Sequence, residues 1–481
     1  MADTKTVAVV CGDTRVDARL PDRTAILRAP APLPALADPQ AAIRAALAHP
    51  IQHEPIAKLV GPASKVTIAF DDPVIPQMPM KAPDFRALAI PILLQELDKA
   101  GVQRHNITLI CANALHRKWT TSELATILGP EITNTFGPSR LLCHDAEDPD
   151  NLVGLGETHR SIEVEVNRAV LDSDQVFYVN ITSLPFHGGW KSVAIGLSSY
   201  RSIRHHHRPF RAASGKSVMD AKRSAFQKLV GEIGAVIDRA LAAKGRRIFT
   251  LESVLNTAQP AELAAVFAGH IPEVHERTLD KLYEQQVLSV PRQTDVGVFG
   301  IPNQTYYANL SRTNPILIRN QALSYSFGLY QQRPLIREGG IGIFVNPCRS
   351  GFHARHHPSY IELYDEHLSE TQDPFELWEV YADDFAHRPE YVHKYRYAYG
   401  FHGAHPLILW GQGAFPLRHM GRAFLAGAED PEAARRVGFE PFATLEEAVA
   451  EAEACLGKDC TITHPSMPPM FVTAVGEGRS D

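Results

Sequence analysis

Residues 65–73 read KVTIAFDDP, and this stretch decides the fold class. Residues 65–70, mostly apolar and β-branched or aromatic, predict a buried strand. The run stops at Asp71-Asp72-Pro73, and residues 84–100, with helical spacing, follow and end at Gly101. Residues 106–111 (NITLIC) predict the next strand. Residues 120–128 predict a helix opened by Thr120 or Thr121, with Glu123 placed to complete a capping box. Alternation of this kind predicts parallel strands joined by crossover helices. Further along, 174–179 reads as a strand and 217–243 as a long amphipathic helix.

The alternation then restarts. Helices are expected over 273–284, 315–328, 374–387 and 445–455, and strands over 295–300, 341–346, 406–410 and 460–464. Residues 287–294 (VLSVPRQT) are the expected joint. The predicted architecture is α/β with two domains, 1–286 and 295–473, each a largely parallel sheet flanked by helices, with the active-site cleft between them.

Composition narrows the function classes. Over 481 residues, 44% are hydrophobic and 21% charged, which excludes a disordered or collagen-like chain. A net charge of −6 provides no global field for nucleic acid. No run of about 18 uncharged apolar residues exists, so no spanning helix is expected. The polar start of the chain lacks the order of a signal peptide, and a cytoplasmic protein is expected. Six cysteines without a CxxC pair make neither a disulfide framework nor a zinc knuckle. The 22 histidines, several of them clustered, are the unusual count.

Ligands of open α/β sheets sit beyond the carboxyl ends of strands. Four such ends carry chemistry: Asp71-Asp72-Pro73, residues 113–118 (NALHRK), residues 180–191 (NITSLPFHGGWK) and residues 301–312 (IPNQTYYANLSR). Gly188 and Gly189, just ahead of Lys191, would let backbone approach a ligand while an amine points at it. The other reading is a glycine turn with a solvent-exposed lysine; GxxxxGK[ST] spacing is absent. His205-His206-His207 reads as a metal site or as a basic surface loop. His116 reads as a general base at a sheet edge or as a structural histidine. Residues 350–357 (SGFHARHH), with His402 and His405, read as a polar surface loop or as part of the cleft lining.

Taken together, these segments resemble the N-terminal domain of the nickel-dependent lactate racemase family. The matching elements are Asp71-Asp72-Pro73-Val74-Ile75-Pro76, Ala112-Asn113-Ala114-Leu115-His116-Arg117, His144-Asp145 with residues 152–158, and the GG-x-K-x-V element with a histidine sixteen residues past its lysine. The likeness spans about residues 29–207, and residues 438–465 resemble the family's end. The resemblance implies a nickel-pincer nucleotide, a pyridinium mononucleotide holding nickel through two sulfurs and a ring carbon. Lys191 would be its thioamide tether, His207 the nickel ligand, Asp71, Asp72, Gly188 and Gly189 further cofactor contacts, and His116 the base for the substrate hydroxyl as hydride moves to the cofactor. It also implies cofactor-maturation proteins as partners, and a homo-oligomer is an open expectation.

Departures from the family pattern shape the expected function. Ile75 stands where an arginine is usual, and Ile181 stands where a second catalytic histidine is usual. His187 is the nearby replacement, with Asn180 as a substrate contact. Arg312 is placed where a carboxylate-holding lysine is usual. A lost charge-assisted hydrogen bond costs about 1.5–3 kcal/mol, which disfavours lactate itself. The expected function is racemisation or epimerisation of another 2-hydroxy acid. The alternatives are oxidation of a sugar or polyol with the same cofactor, and non-catalytic binding of a nucleotide or nickel.

Overall fold

The structure is a computed structural model that describes residues 4–76, 78–209, 213–308 and 311–476. Its strands, in chain order, open with β1 (Thr4–Gly12), β2 (Thr14–Pro21) and β3 (Ala25–Leu27). Next come β4 (Val66–Asp71), β5 (Ile107–Ala112), β6 (Leu141–Cys143), β7 (Leu152–Glu157), β8 (Glu163–Asn167), β9 (Gln175–Thr182), β10 (Phe249–Leu255) and β11 (Leu263–His270). The second half supplies β12 (Val287–Val290), β13 (Thr294–Pro302), β14 (Tyr330–Gln331), β15 (Ile336–Val345), β16 (Arg422–Ala426), β17 (Glu440–Phe442), β18 (Ile462–Pro465) and β19 (Val472–Val475).

The KVTIAF strand sits where its composition demands. All six residues of β4 are buried, because β5 and β9 flank it in parallel and helices cover both faces. The sheet order is β11-β10-β9-β4-β5-β6, parallel except for β11 at one edge. The chain winds from β4 outward through β5 to β6, then returns to β9 on β4's other side. That reversal makes the carboxyl ends of β4 and β9 a topological switch point, where an open α/β sheet leaves a crevice.

The second sheet runs β17-β16-β15-β13-β1-β2, with β18 paired to β13 and to β3. Here the chain departs from the expected division. β1, β2 and β3 do not join the first sheet; β1 pairs in parallel with β13, Cys11 opposite Ile301, and Ala25 of β3 stands opposite Thr463 of β18. A strand's own pattern fixes which residues share a face, not which strand some 290 residues away completes its ladder. One apolar cluster draws on both halves, with Tyr178, Val193 and Tyr200 alongside Ile316, Leu407 and Trp410.

Two local expectations are corrected. Residues 406–410 are not a strand but part of the helix His405–Gly411, every residue of which is buried. A fully buried helix and a buried strand are equally apolar, and Pro406 at the first turn is what favours the helix. The long helix begins at Ala225 rather than 217, because the Ser224 hydroxyl caps it by accepting from the Gln227 N–H. The capping box at Thr120 and Glu123 is formed as expected.

Candidate active site

The switch point carries Asp71 and Asp72. Asp71 is buried; its carboxylate accepts the Ile181 N–H at 2.9 Å and the Tyr178 hydroxyl at 3.1 Å, tying β4 to β9. Behind the turn lies Arg86, 1% exposed. Its guanidinium donates to the carbonyls of Asp71 and Asp72 and pairs with Asp84. This arginine was not legible as a site residue, since it reads as one more charge in a helix. It faces the backbone of the turn and not the cavity, so it does not replace the arginine expected at Ile75.

Asp72 orients His116. The imidazole Nδ1 donates to Asp72 Oδ2 at 2.8 Å, and Trp119 Nε1 reaches the same oxygen at 3.3 Å. With Nδ1 committed, Nε2 holds the lone pair, which is the arrangement of a positioned base. The ring is held edge-on by Tyr307 and His405, at centroid distances of 5.2 and 5.5 Å. His357, Phe401 and His405 stack in a column behind it. The His-rich segment therefore supports the site from behind: His357 holds the Tyr307 carbonyl at 3.2 Å, and His402 is buried against Glu147.

His116, Asp71, Asp72, His187, Lys191, His206 and His207 line one cavity, closed from the second half by Tyr306, Tyr307 and Tyr325. Lys191 projects from the short helix Gly189–Ala194. Its ammonium lies 5.3 Å from the centre of the Phe186 ring and makes no hydrogen bond among the described residues. Burial lowers its pKa, while Asp71 and Asp72 oppose the change. His207 ends the helix Tyr200–His207, with Nδ1 on the Ile203 carbonyl at 3.3 Å. Burial first, with Lys191 and His116 adding to it, takes its pKa down to about 4, so the imidazole is neutral at pH 7 with Nε2 as its free donor atom. His206 also faces the cavity, and neither of its ring nitrogens has a hydrogen-bond partner among the described residues. His205 is turned to a separate groove beside Arg208 and Trp378.

His187 is fully buried, with Nδ1 on Ser183 Oγ at 3.0 Å and Nε2 on the Tyr306 hydroxyl at 3.2 Å. Burial, with Lys191 nearby, pushes its pKa well below the usual range. Tyr306 and Tyr307 come from the segment after β13, a strand end legible in the sequence, although the tyrosines themselves were not singled out.

Four expected site residues fall outside the cavity. Asn180 is buried against Thr250 at 3.1 Å, on the neighbouring strand β10. Arg312 is exposed, beside Gly351. Gly188 and Gly189 are needed for a different reason than close approach of a ligand. A Cβ on Gly188 would stand 2.0 Å from Glu252 Oε1, and one on Gly189 would stand 2.5 Å from the His275 ring, both at positive φ. Glu252 is itself fully buried, accepting from Thr182 and His275 and weakly from the Gly189 N–H. The glycine pair thus seats the lysine-bearing helix on a buried carboxylate.

The electrostatics of the turn can be tested. Burial raises the pKa of Asp71 from 3.8 to about 6, against the opposing Ile181 N–H, Lys191 and Arg86. A carboxyl raised in the folded state binds protons more tightly folded than unfolded, so its contribution to stability falls as pH rises from about 4 to about 6. That interval corresponds to about 3 kcal/mol. Asp71→Asn removes this loss, so in urea unfolding the variant should gain on the parent by about that amount between pH 4 and 7. Parallel curves for the two proteins would show that Asp71 does not titrate in this window.

Residues 11–219 match a family model described as lactate racemase N-terminal domain. Over 206 residues the chain is 25% identical to lactate racemase from Lactiplantibacillus plantarum, covering 42% of this chain and 45% of that protein. The matched stretch thus spans less than half the length of that relative. Among solved structures, the lactate racemase apoprotein from Thermoanaerobacterium thermosaccharolyticum superposes with a TM-score of 0.70 at 16% identity, over 98% of this chain and 100% of that one. A structural-genomics protein from Thermotoga maritima superposes with a TM-score of 0.53 at 15% identity, over 87% and 96%.

Proposed function

We propose that this chain, which belongs to the lactate racemase family as a divergent member, racemises or epimerises a 2-hydroxy acid other than lactate. The observation that carries the reading is the Asp72–His116 pair facing Lys191 and His207 across one cavity. Lys191 and His207 would hold a nickel-pincer nucleotide. The donor set fits such a group: an amine and an imidazole Nε2 without a hydrogen bond among the described residues, the imidazole neutral at pH 7, and aromatic walls suited to a flat ring. When bound, that group supplies a reversible hydride acceptor.

The chain's own residues supply proton chemistry and positioning. His116 Nε2 takes the proton of the substrate hydroxyl, and Asp72 stabilises the imidazolium that forms. On the return step the same nitrogen gives the proton back. The second proton-transfer partner would be His187, neutral at rest and linked to the cavity through the Tyr306 hydroxyl, in place of the histidine that Ile181 replaces. Phe186, Tyr307, Tyr325 and Phe415 exclude water around the reacting carbon. The protein is expected to work in the cytoplasm, to depend on cofactor-maturation proteins, and to act on a small molecule. No described helix is long and apolar enough to cross a membrane.

One observation favours the second reading, oxidation of a sugar or polyol. Ile75 lines the cavity where a carboxylate-clamping guanidinium is usual, and the hydroxyls of Tyr306, Tyr307 and Tyr325 offer neutral hydrogen bonds instead. Non-catalytic nucleotide or nickel binding is the third reading.

The test is coexpression with cofactor-maturation enzymes, followed by intact mass, nickel analysis and chiral assay over hydroxy acids, sugars and polyols. Nickel, a nucleotide-sized mass increment and inversion of a hydroxy acid support the proposal. Oxidation without inversion selects the second reading, and nickel or nucleotide without turnover selects the third. His207→Ala should empty the protein of nickel while His205→Ala leaves it loaded. The reverse pattern would move the ligand assignment and with it the register of Lys191.

A further inference from the structure

Cys111 is the last residue but one of β5 and Cys143 ends β6, and they stand directly opposite in the parallel ladder. Neighbouring strands lie about 4.8 Å apart, inside the Cα separation of about 4.4–6.8 Å that a disulfide spans. The Cys111 side chain is fully buried in the apolar cluster that also holds Trp119, and Cys143 packs against that cluster. Cys143 is half-buried and lines a groove of about 1140 Å³ with Lys118, Trp119 and Asp145. Its sulfur accepts the Trp119 backbone N–H at 3.3 Å and donates to the Trp119 carbonyl at 3.7 Å. Trp119 in turn holds Asp72 through Nε1, on the same oxygen that orients His116. The pair therefore joins an open groove to the His116 dyad through one residue.

We propose that Cys111 and Cys143 are a dithiol modification site, in which peroxide oxidises the pair to a disulfide and releases Trp119 from the Cys143 thiol. The division of labour follows from the surroundings. The adjacent Cys111 thiol, the Trp119 N–H and Lys118 favour the Cys143 thiolate against its burial, while burial holds Cys111 protonated. The Cys143 thiolate attacks one peroxide oxygen; the O–O bond breaks, hydroxide leaves and takes up a proton, and a sulfenic acid remains. The Cys111 sulfur then attacks the Cys143 sulfur. The S–S bond forms, the S–O bond breaks, and the hydroxyl leaves as water with the Cys111 proton. In sum, two thiols and one hydrogen peroxide give one disulfide and two waters. The Cys143 sulfur, now drawn into a bond with Cys111, no longer sits as a thiol or thiolate on the Trp119 backbone, so Trp119 and the Asp72 carboxylate it holds are free to shift.

The experiment uses the full chain without cofactor, so it does not depend on the proposed activity. After hydrogen peroxide and alkylation, non-reducing peptide mapping should find Cys111 linked to Cys143, reversed by dithiothreitol. Exposed Cys455 serves as an internal reference. In the reduced protein, Cys143 should alkylate about tenfold faster than in Cys111→Ala, which removes the thiol beside it. The His116 imidazole signals in NMR should move on oxidation, and should not move in Cys143→Ser. Oxidation of Cys455 without a Cys111–Cys143 link would overturn the site, and a link that leaves His116 unmoved would overturn its connection to the dyad. If Cys111→Ala fails to fold, Cys143→Ser still decides both points.

Discussion

Lys191→Ala is expected to yield a folded protein that carries no nickel and no nucleotide adduct after coexpression with maturation enzymes. Turnover should fall by at least about a thousandfold, because both the covalent tether and the reacting group it positions are lost. The fold should survive, since the Lys191 ammonium makes no hydrogen bond among the described residues and borders a cavity. Lys191→Arg should lose the adduct equally, because a guanidinium does not act as an amine nucleophile at neutral pH. Intact mass and nickel analysis are the deciding measurements. An adduct that persists in either variant would place the tether elsewhere and remove the main support for the proposed chemistry.

Asp72→Asn has the second largest expected effect. It leaves a group of similar shape beside His116 but removes the charge that stabilises the imidazolium and fixes Nδ1 as the donor. Positioned acid–base groups contribute about 10²–10⁴-fold, and kcat should fall within that range with cofactor loading intact. His116→Gln should cost about as much, and the double variant little more than either alone, because the two residues act as a unit. Thermal melting and nickel content separate this outcome from misfolding, which matters because Asp72 is buried. An Asp72→Asn protein with near-parent kcat would show that His116 needs no partner, or that it is not the base.

The parts of this site that the sequence disclosed are those set by local pattern. The β4 run ending at two aspartates and the turn before His116 both lie at strand ends, and strand ends follow from where apolar runs stop. Lys191 and His207 were identified by the family likeness, and the structure puts both on the cavity wall. Arg86 escaped notice because its partners are the carbonyls of Asp71 and Asp72, and backbone groups leave no mark on a side-chain pattern. Gly188 and Gly189 were recognised as special, but for a different cause, since Glu252 and His275 lie more than sixty residues further along.

By itself, the sequence determined the alternation of strands and helices, the buried character of β4, the capping of the helix at Thr120, and the strand ends at which chemistry would gather. These depend on neighbours within a few residues, where periodicity, caps and turn chemistry act. Only the tertiary structure decided that β1, β2 and β3 belong to the second sheet, that Asn180 turns to Thr250, that Arg312 stays outside, and that Tyr306 closes over His187. A period of two says which residues share a face of a strand, not which face meets the cavity. That choice belongs to the packing of segments far apart in the chain, which maximises buried apolar area while leaving polar groups paired.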